Sequence, residues 1–519
     1  MDEHSQAPDG RTSTPGVEPG GASDSISSAE VRRRAAGGVG LLVARGVLIQ
    51  GFGVVANIVL ARLLLPRDFG LVALGTAFLL VGAVVSEGGL GGALIRREQS
   101  PTRQELAAVN GLQVGITTLI AVAVAAAAIP LGRDGLVVAA MTASLPITIL
   151  RAPSVIMLER RLSFRPVAAG DVSEALSYYV WAIATVALGM GVWGMATAVV
   201  VRAVVGTGVT VALGPVGFVR PRWSWRLIRP LLGFGAKFQA AIALTLVRDQ
   251  GLNTGVAAIA GVTTLGIWNL AYRVIQVPYM LVGNVTRIWY PAMSRLLAAR
   301  EDPRDLMTRA AAAFAVVLGA VLVAVVGFAP ALPALVGERW HDVPLTLAFA
   351  CLGLMIGAPA AVTASGYLYA AGDAGAVLRA VAAQTAAWFT VAFATLPALG
   401  APAVGIGWTA AACANRALLV REVRLRTGAR FARKTLVPTG VALVAGLSGW
   451  AIASAGEANM LRGALGAAAA ELVLAAGLAT LSRPLLRATV ALVASTARGS
   501  RGPRSADAAP VEYAPAEPV

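Results

Sequence analysis

The stretch LARLLLPRDFGLVAL, residues 60–74, joins two long apolar runs through a few polar residues. Arg62, Arg67 and Asp68 interrupt the hydrophobicity around Pro66, and the apolar run resumes at Phe69. Proline stops a preceding helix and is well tolerated in the first turn of the next one. The stretch therefore predicts a tight turn between two apolar helices, the second of which begins near Phe69.

The rest of the chain repeats this pattern. Its 519 residues are 57% hydrophobic and only 13% charged, and its mean hydropathy is +0.72. A soluble domain carries roughly 25% charged residues, so this composition argues against a water-soluble globule. Apolar runs of about 20 residues, the length that crosses a bilayer, recur between residues 37 and 481. We therefore predict an all-α, polytopic membrane protein.

About fourteen transmembrane helices are predicted, at about 37–60, 69–95, 106–130, 135–158, 167–189, 192–214, 231–259, 262–289, 310–333, 343–370, 376–397, 401–420, 436–455 and 463–481. They fall into two six-helix lobes and a final pair of helices. The predicted domains are a disordered tail (1–36), the first lobe (37–214), a basic linker (215–230), the second lobe (231–420), a basic loop (421–435), the final helices (436–481) and a second tail (482–519).

The basic residues set the predicted orientation. Only five of the 43 lysines and arginines fall in the predicted outer loops, namely Arg62, Arg67, Arg133, Arg339 and Arg462. Most of the others lie on the side of the N-terminus, and cytoplasmic loops of membrane proteins are rich in Lys and Arg. Both termini are therefore predicted to be cytoplasmic. This topology and contact with anionic lipids explain the net charge of +16 without a nucleic-acid partner.

A faint internal repeat appears when the sequence is shifted by 196 residues. NIVLARLLLPRDFGLVAL (57–74) then lies over NTGVAAIAGVTTLGIWNL (253–270), so that Asn57 falls on Asn253 and Gly70 falls on Gly266. Repeated halves with a substrate site between them are a common design of membrane transporters. The repeat therefore favours a transporter with a central cavity between the two lobes.

Several charged residues fall inside the predicted spans, where exposure to hydrocarbon costs about 2.5–3.5 kcal/mol and each charge needs a partner or a wet cavity. They are the cations Arg45, Arg151, Arg202, Lys237, Arg248, Arg273 and Arg287 and the acids Glu87, Asp171, Glu174, Asp249 and Glu471. Arginine offers a planar fork to phosphate oxygens and lysine offers a point charge. A group of these cations in a cavity would bind a diphosphate, and structural ion pairs between helices are the alternative for each of them.

The spacing of these charges predicts how some of them pair. Arg248 and Asp249 are adjacent, point about 100° apart on a helix, and are expected to find partners on other helices. Asp171 and Glu174 lie one turn apart and are expected to pair with the neighbouring basic stretch 158–168. No metal site or cofactor is predicted, because the cysteines and histidines lie apart from one another.

Six segments, taken in order, resemble the bacterial polysaccharide exporters, a family of lipid-linked oligosaccharide flippases in the multidrug/oligosaccharidyl-lipid/polysaccharide superfamily. The opening stretch is similar to the first-hairpin signature of that family. The further matches are SEGGLGGALIRRE (86–98), LERRLSFRPVA (158–168), TLGIWNLAYRVIQVP (264–278), VGERWHDVPLTL (336–347) and YLYAAGDAGAVLR (367–379). The second segment departs from the family pattern, because Glu87-Gly88-Gly89 stands where the family has Asp-Leu-Gly.

The resemblance implies a flippase of the bacterial cytoplasmic membrane. It would move an oligosaccharide repeat unit linked to undecaprenyl diphosphate to the outer leaflet by alternating access, in concert with a polysaccharide polymerase and glycosyltransferases. The cavity of this superfamily is lined chiefly by spans 1, 2, 7 and 8. That arrangement implies a substrate site formed by Arg45, Lys237, Arg248 and Arg273 and a counter-ion or H⁺/Na⁺-coupling role for Glu87 and Asp249.

Three other functions remain open on the sequence. A membrane enzyme that acts on the same glycolipids would need a large outer loop and a catalytic set of side chains, and neither is found. A cation-coupled multidrug exporter and a flippase for a lipid-linked peptidoglycan precursor belong to the same superfamily. No Walker sequence is present, so the chain itself is not predicted to hydrolyse ATP.

Overall fold

The computed structural model describes residues 28–96, 99–161 and 163–499. Within these helices, the side chains of residues 28–44, 47, 96, 232–245, 247, 284, 287 and 492–499 lie outside the described part. The described chain is helical and contains no β-strand. This confirms the prediction of an all-α protein.

The helices follow one another through short connections. They are α1 (Ser28–Leu63), α2 (Pro66–Glu87), α3 (Leu90–Arg96), α4 (Arg103–Ala128), α5 (Gly132–Thr142), α6 (Leu145–Ile149), α7 (Ala152–Arg160), α8 (Phe164–Thr185), α9 (Val192–Leu213), α10 (Trp225–Ala298), α11 (Pro303–Phe328), α12 (Leu332–Val336), α13 (Val343–Ala370), α14 (Ala374–Leu399), α15 (Ala401–Thr427), α16 (Leu436–Ala453), α17 (Met460–Leu481) and α18 (Arg483–Gly499).

Eleven helical stretches in the described part are long and apolar enough to cross a membrane, and Leu48–Leu63 in α1 is a shorter apolar one. Two of the eleven, Arg103–Ile149 and Arg248–Ala298, each overlap two predicted spans. The second contains a break at Gly261, whose φ of 84° is unfavourable for residues with a side chain. The helices therefore agree with the predicted number of about fourteen.

The predicted N-terminal tail differs from the structure at its inner edge. Residues 28–36 already belong to α1, although the tail was predicted to be disordered as far as residue 36. Alanine, arginine and glutamate dominate this segment and are good helix formers, which explains the earlier start. At the other end, Arg483–Gly499 forms the amphipathic α18 within the segment predicted as a tail. Residues 1–27 and 500–519 lie outside the described part.

The opening turn is tighter than expected, because α1 ends at Leu63 and α2 begins at Pro66 rather than near Phe69. The amide of Leu65 donates to the carboxylate of Asp68 over 2.9 Å. This bond satisfies a backbone donor next to the first turn of α2, where proline needs none. The acid in the opening stretch thus caps the second helix.

Helix α2 packs against the second part of α10 through two glycines. A Cβ on Gly70 would collide with the carbonyl oxygen of Val262, and a Cβ on Gly266 would collide with the carbonyl oxygen of Pro66. These two contacts are exchanged by the 196-residue shift of the sequence repeat, because Pro66 corresponds to Val262 and Gly70 to Gly266. The repeated segments therefore meet each other directly, near the turn between α1 and α2.

Candidate functional site

A cavity of about 1200 Å³ lies inside the helix bundle. Its walls come chiefly from α1, α2, both parts of α10, α13, α14 and α15. Among the described residues that line it, the charged ones are Arg248, Asp249 and Arg273. The described wall therefore carries one excess positive charge. Uncharged amides and aromatic side chains provide most of its remaining polar groups.

Arg273 is held in this wall by neutral groups. Its Nε donates to Oδ1 of Asn269, one turn earlier on α10, over 2.9 Å. One of its terminal nitrogens donates to Oδ1 of Asn57 on α1, and its guanidinium carbon lies 5.8 Å from the ring centroid of Phe69 on α2. A guanidinium has five N–H donors, so these two amide bonds leave three for a ligand.

Asn57 is itself oriented for this contact. Its Nδ2 donates to the carbonyl oxygen of Gly53, one turn earlier on α1, over 2.6 Å. That bond turns Oδ1 towards Arg273. Its repeat partner Asn253 also lines the cavity and donates from Nδ2 to Oε1 of Gln250 over 3.0 Å.

Arg248 and Asp249 form an ion pair with each other, which corrects the expectation that they seek partners on other helices. Nε of Arg248 lies 2.7 Å from Oδ1 of Asp249. The angle between adjacent positions describes the Cβ directions, whereas the long arginine side chain is flexible enough to bend around the helix surface. The pair lines the cavity and neutralises itself there.

Arg45 belongs to a different group of charges. It lies 2.5 Å from Oδ2 of Asp171 on α8, and the described residues that line the cavity do not include it. Glu174 pairs with Arg151 at 2.5 Å and with Arg202 at 3.0 Å. The prediction that Asp171 and Glu174 pair with residues 158–168 is therefore wrong. We call Arg45, Arg151, Asp171, Glu174 and Arg202 the paired cluster. Its ion pairs connect α1, α8, α9 and the start of α7.

Of the two other predicted site residues, Glu87 does not join Arg273, and the side chain of Lys237 is not described. Glu87 is the exposed last residue of α2 and is not among the described residues that line the cavity. The turn to a left-handed backbone at Gly88 ends α2 there. The side chain of Lys237, on the first part of α10, lies outside the described residues.

The sequence reasoning missed one wall of the cavity. Trp268, Tyr272 and Tyr279 on α10 face Trp388 on α14 and Trp408 on α15. Two amide side chains also line this wall: Nδ2 of Asn415 donates to Oε1 of Gln384 over 2.9 Å. The recurrence of the α10 aromatics at one helical face is visible in the sequence, but the other aromatics come from distant segments. We call the five aromatic residues the aromatic wall.

Hydrogen bonds join the first turn to another part of the chain. Nε of Arg62 donates to the carbonyl oxygen of Leu335 over 2.6 Å, and Arg339 donates to that of Leu64 over 3.4 Å. The fully buried Trp340 donates from Nε1 to the carbonyl oxygen of Ala61 over 2.9 Å. These bonds join the α1–α2 turn to the segment 334–340 and close the bundle at this end.

Comparison with solved structures shows which fold this is. The lipid II flippase MurJ, in an inward closed conformation, superposes with a TM-score of 0.63 over 86% of this chain and 99% of that one, at 12% sequence identity. A multidrug resistance MATE family transporter of the MOP superfamily, in an inward-facing conformation, gives a TM-score of 0.52 over 73% of this chain and 95% of that one, at 15% identity.

Comparison of sequences identifies the family. The lipopolysaccharide biosynthesis protein WzxC of Escherichia coli (strain K12) is 24% identical over 331 residues, which are 59% of this chain and 64% of that protein. The matched part of the chain thus spans less than two thirds of the length of this curated relative. The family model described as "Polysaccharide biosynthesis protein" matches residues 59–344, more than half of the chain. The chain therefore belongs to the polysaccharide biosynthesis protein family, whose predicted resemblance is confirmed.

Proposed function

We propose that this protein is a flippase that moves oligosaccharide repeat units linked to undecaprenyl diphosphate across the cytoplasmic membrane of a bacterium, for the synthesis of a surface polysaccharide. The family membership gives the biosynthetic context. The observation that carries the proposal is Arg273, a guanidinium held by neutral amides at the wall of a cavity of about 1200 Å³.

The chemistry of this wall suits a lipid diphosphate. A diphosphate needs cations in a site with little water, and arginine binds its oxygens through parallel N–H bonds. Arg273 keeps its charge available because its hydrogen-bond partners, Asn57 and Asn269, are neutral. Arg248 can add a second donor group after releasing Asp249, and Lys237 is a third candidate for this site.

The proposal includes the topology and the partners. Both termini lie in the cytoplasm, the basic loops contact anionic lipids, and the polymerase and glycosyltransferases act on the same lipid-linked units. The protein acts as a transporter rather than an enzyme. Asp249 is the candidate for a coupled H⁺ or Na⁺, because it lies beside Arg248 at the cavity wall, whereas Glu87 lies at an exposed helix end.

Alternating access would require the two halves of the molecule to separate where they now touch. The contact between Gly70 and Gly266 and the bonds from Arg62, Arg339 and Trp340 close the end near the first turn. In the proposed topology this is the outer end. Substrate would therefore enter from the cytoplasmic leaflet in this state, and release would follow rupture of these bonds.

Depletion of the protein tests the proposal directly. The lipid-linked oligosaccharides of depleted cells would be measured by mass spectrometry, together with the surface polysaccharide. We expect one undecaprenyl-diphosphate-linked repeat unit to accumulate while its polymer disappears. Accumulation of a peptidoglycan precursor would overturn the proposal in favour of the second flippase function. Unchanged lipids and polymer would also overturn it and would favour a drug exporter.

A further inference from the structure

The second part of α10 presents two adjacent stripes to the cavity. Asn269, Arg273 and Gln276 recur at intervals of four and three residues and form a polar stripe. Trp268, Tyr272 and Tyr279 recur at intervals of four and seven residues and form an aromatic stripe beside it. The polar stripe faces α1, where Asn57 accepts from Arg273, whereas the aromatic stripe faces α14 and α15.

The aromatic wall is a continuous set of rings. Trp408 contacts all four of the others, at centroid distances of 4.9 Å to Trp388, 6.3 Å to Tyr272 and 6.3 Å to Tyr279 in edge-to-face geometry and 6.2 Å to Trp268 in a tilted geometry. Trp268 adds a contact of 6.2 Å to Trp388. Such pairs contribute about 0.5–1.5 kcal/mol each beyond their buried area, so the rings hold one another in place.

Glycines make room for the two indoles that come from α14 and α15. A Cβ on Gly353 of α13 would approach Cδ1 of Trp408 to 2.8 Å, and a Cβ on Gly407 would approach Cδ1 of Trp388 to 3.0 Å. The first distance is shorter than real Cβ contacts, and the second is tighter than most of them. The backbone is therefore shaped around these rings, which fixes their orientation before a ligand binds.

Amide side chains extend this wall. Gln384 lies one helical turn before Trp388, and Asn415 lies two turns after Trp408, so each shares a helix face with its tryptophan. Their mutual bond leaves Oδ1 of Asn415 as an acceptor and Nε2 of Gln384 as a donor. A donor and an acceptor side by side match two neighbouring hydroxyl groups.

We propose that the aromatic wall, together with Gln384 and Asn415, is the binding site for the sugar rings of the transported molecule. The C–H face of a pyranose ring packs on an aromatic ring, and the amides bind its hydroxyl groups. The inference rests on the proposed function, since it assigns the glycan to one stripe of α10 and the diphosphate to the other.

Their exposure separates these aromatics from ordinary core residues. Trp340 is fully buried and its indole N–H is bonded to a carbonyl, so it has no surface left for a ligand. Tyr279 is 47% exposed, and Tyr272 and Trp408 are partly exposed, while all three line the cavity. Trp268 and Trp388 are buried behind them and serve as support. The exposed rings are therefore the contact surface.

The test compares a lipid with and without sugar on the full-length protein in lipid nanodiscs. The probes are farnesyl diphosphate and the same lipid carrying a disaccharide, titrated by calorimetry. We expect the wild type to bind the glycosylated lipid about tenfold more tightly. Trp408→Leu should reduce this ratio to about one and leave the affinity for farnesyl diphosphate within about twofold of the wild-type value, which also shows that the variant is folded.

Three further variants make the readout specific. Trp408→Phe keeps a stacking ring and should keep most of the ratio. Trp181→Leu removes a half-exposed tryptophan that bonds Thr197 away from the cavity, and it should change neither affinity. The double variant Gln384→Ala/Asn415→Ala should also lower the ratio, because both hydroxyl-binding groups are lost.

The outcomes distinguish the two proposals. If the wild type binds both lipids equally, or if Trp408→Leu keeps the full ratio, the sugar site is refuted while the flippase proposal stands. If the wild type binds neither lipid, the proposed function itself is refuted, and the sugar site with it. Equal loss of both affinities in Trp408→Leu and Trp408→Phe would show that the ring supports the bundle and would overturn the assignment.

Discussion

The arginines of this protein occupy two contrasting environments within one bundle. In the paired cluster, Arg45, Arg151 and Arg202 each contact a carboxylate, at distances between 2.5 and 3.0 Å. At the cavity wall, Arg273 contacts two amide oxygens and an aromatic face. In the described part of the chain, no carboxylate forms an ion pair with Arg273.

The difference shows how one residue type can serve structure or binding. A carboxylate partner neutralises the guanidinium and fixes helices to one another, whereas an amide orients it and leaves its charge in place. An arginine inside a membrane protein is expensive when it stays unpaired, so an amide-held arginine facing a cavity indicates a charge kept for a ligand. The comparison therefore separates Arg273 from Arg45, which the sequence alone grouped together.

The largest expected effect is that of Arg273→Ala on export. Loss of charge-assisted bonds worth about 1.5–3 kcal/mol should lower transport by roughly tenfold to a hundredfold. The measurement is the surface polysaccharide of cells that carry the variant as their sole copy, normalised to the amount of protein in the membrane. Arg273→Lys should recover part of the activity, since lysine keeps the charge but not the planar fork.

Arg151→Ala is the matched control for this experiment, because it removes an arginine of the paired cluster and leaves the cavity wall intact. Export per inserted molecule should stay within about twofold of the wild-type value, although less protein accumulates. Normal polysaccharide with Arg273→Ala at native expression would contradict the assignment of Arg273 to the substrate site.

A second prediction concerns a variant that gives Arg273 a carboxylate partner, like the arginines of the paired cluster. Asn269→Asp would give Arg273 a carboxylate partner at the position of the amide oxygen that now lies 2.9 Å from Nε. The new pair neutralises the guanidinium and repels phosphate, so we expect transport to fall about tenfold while thermal stability is kept or rises. Unfolding of the purified variant and polysaccharide export would be measured side by side.

Asn459→Asp provides the control for this change of an amide to an acid. Asn459 caps α17 through a bond to the amide of Arg462, and aspartate caps equally well. It lies away from the cavity-lining residues of the described structure. Export should therefore be unaffected, and full export with Asn269→Asp would remove the distinction between the two kinds of arginine.

The smallest expected effect concerns stability rather than transport. Glu174→Gln should destabilise the bundle by about 1–3 kcal/mol, because Arg151 and Arg202 both lose their charged partner and the site is only partly buried. Thermal unfolding in detergent measures the change. Asp305→Asn, which breaks an exposed pair with Arg309, should change the stability by less than about 0.5 kcal/mol. Equal effects of the two variants would show that the paired cluster does not stabilise the bundle.

Much of the fold could be predicted from the sequence, because apolar length alone determines where helices cross a membrane. The position of the break in α10 was also predictable, since Gly261 separates two apolar runs. The start of α1 was missed because a polar segment that forms a helix has no apolar signal. The division of the bundle into two lobes at residues 215–230 stays a prediction.

The site was harder to predict because its geometry depends on distant residues. The partner of Arg45 lies 126 positions away, and no local pattern indicates it. The charges of Arg248 and Asp249 inside an apolar span mark them as candidate site residues. Asn57, Asn269 and Asn415 are uncharged, so the sequence does not mark them as binding groups. The aromatic wall draws its residues from three helices, and only the α10 stripe could have been recognised by its spacing.

Binding of farnesyl diphosphate to purified wild-type, Arg273→Ala and Arg151→Ala protein shows whether Arg273 binds the diphosphate while Arg151 serves the structure. Calorimetric titration in nanodiscs at fixed low salt would give the three dissociation constants. We expect Arg273→Ala to weaken binding by roughly tenfold to a hundredfold and Arg151→Ala to leave it within about twofold. Equal affinity of the wild type and Arg273→Ala, or an equal loss in both variants, would refute the role of Arg273 as the diphosphate-binding cation.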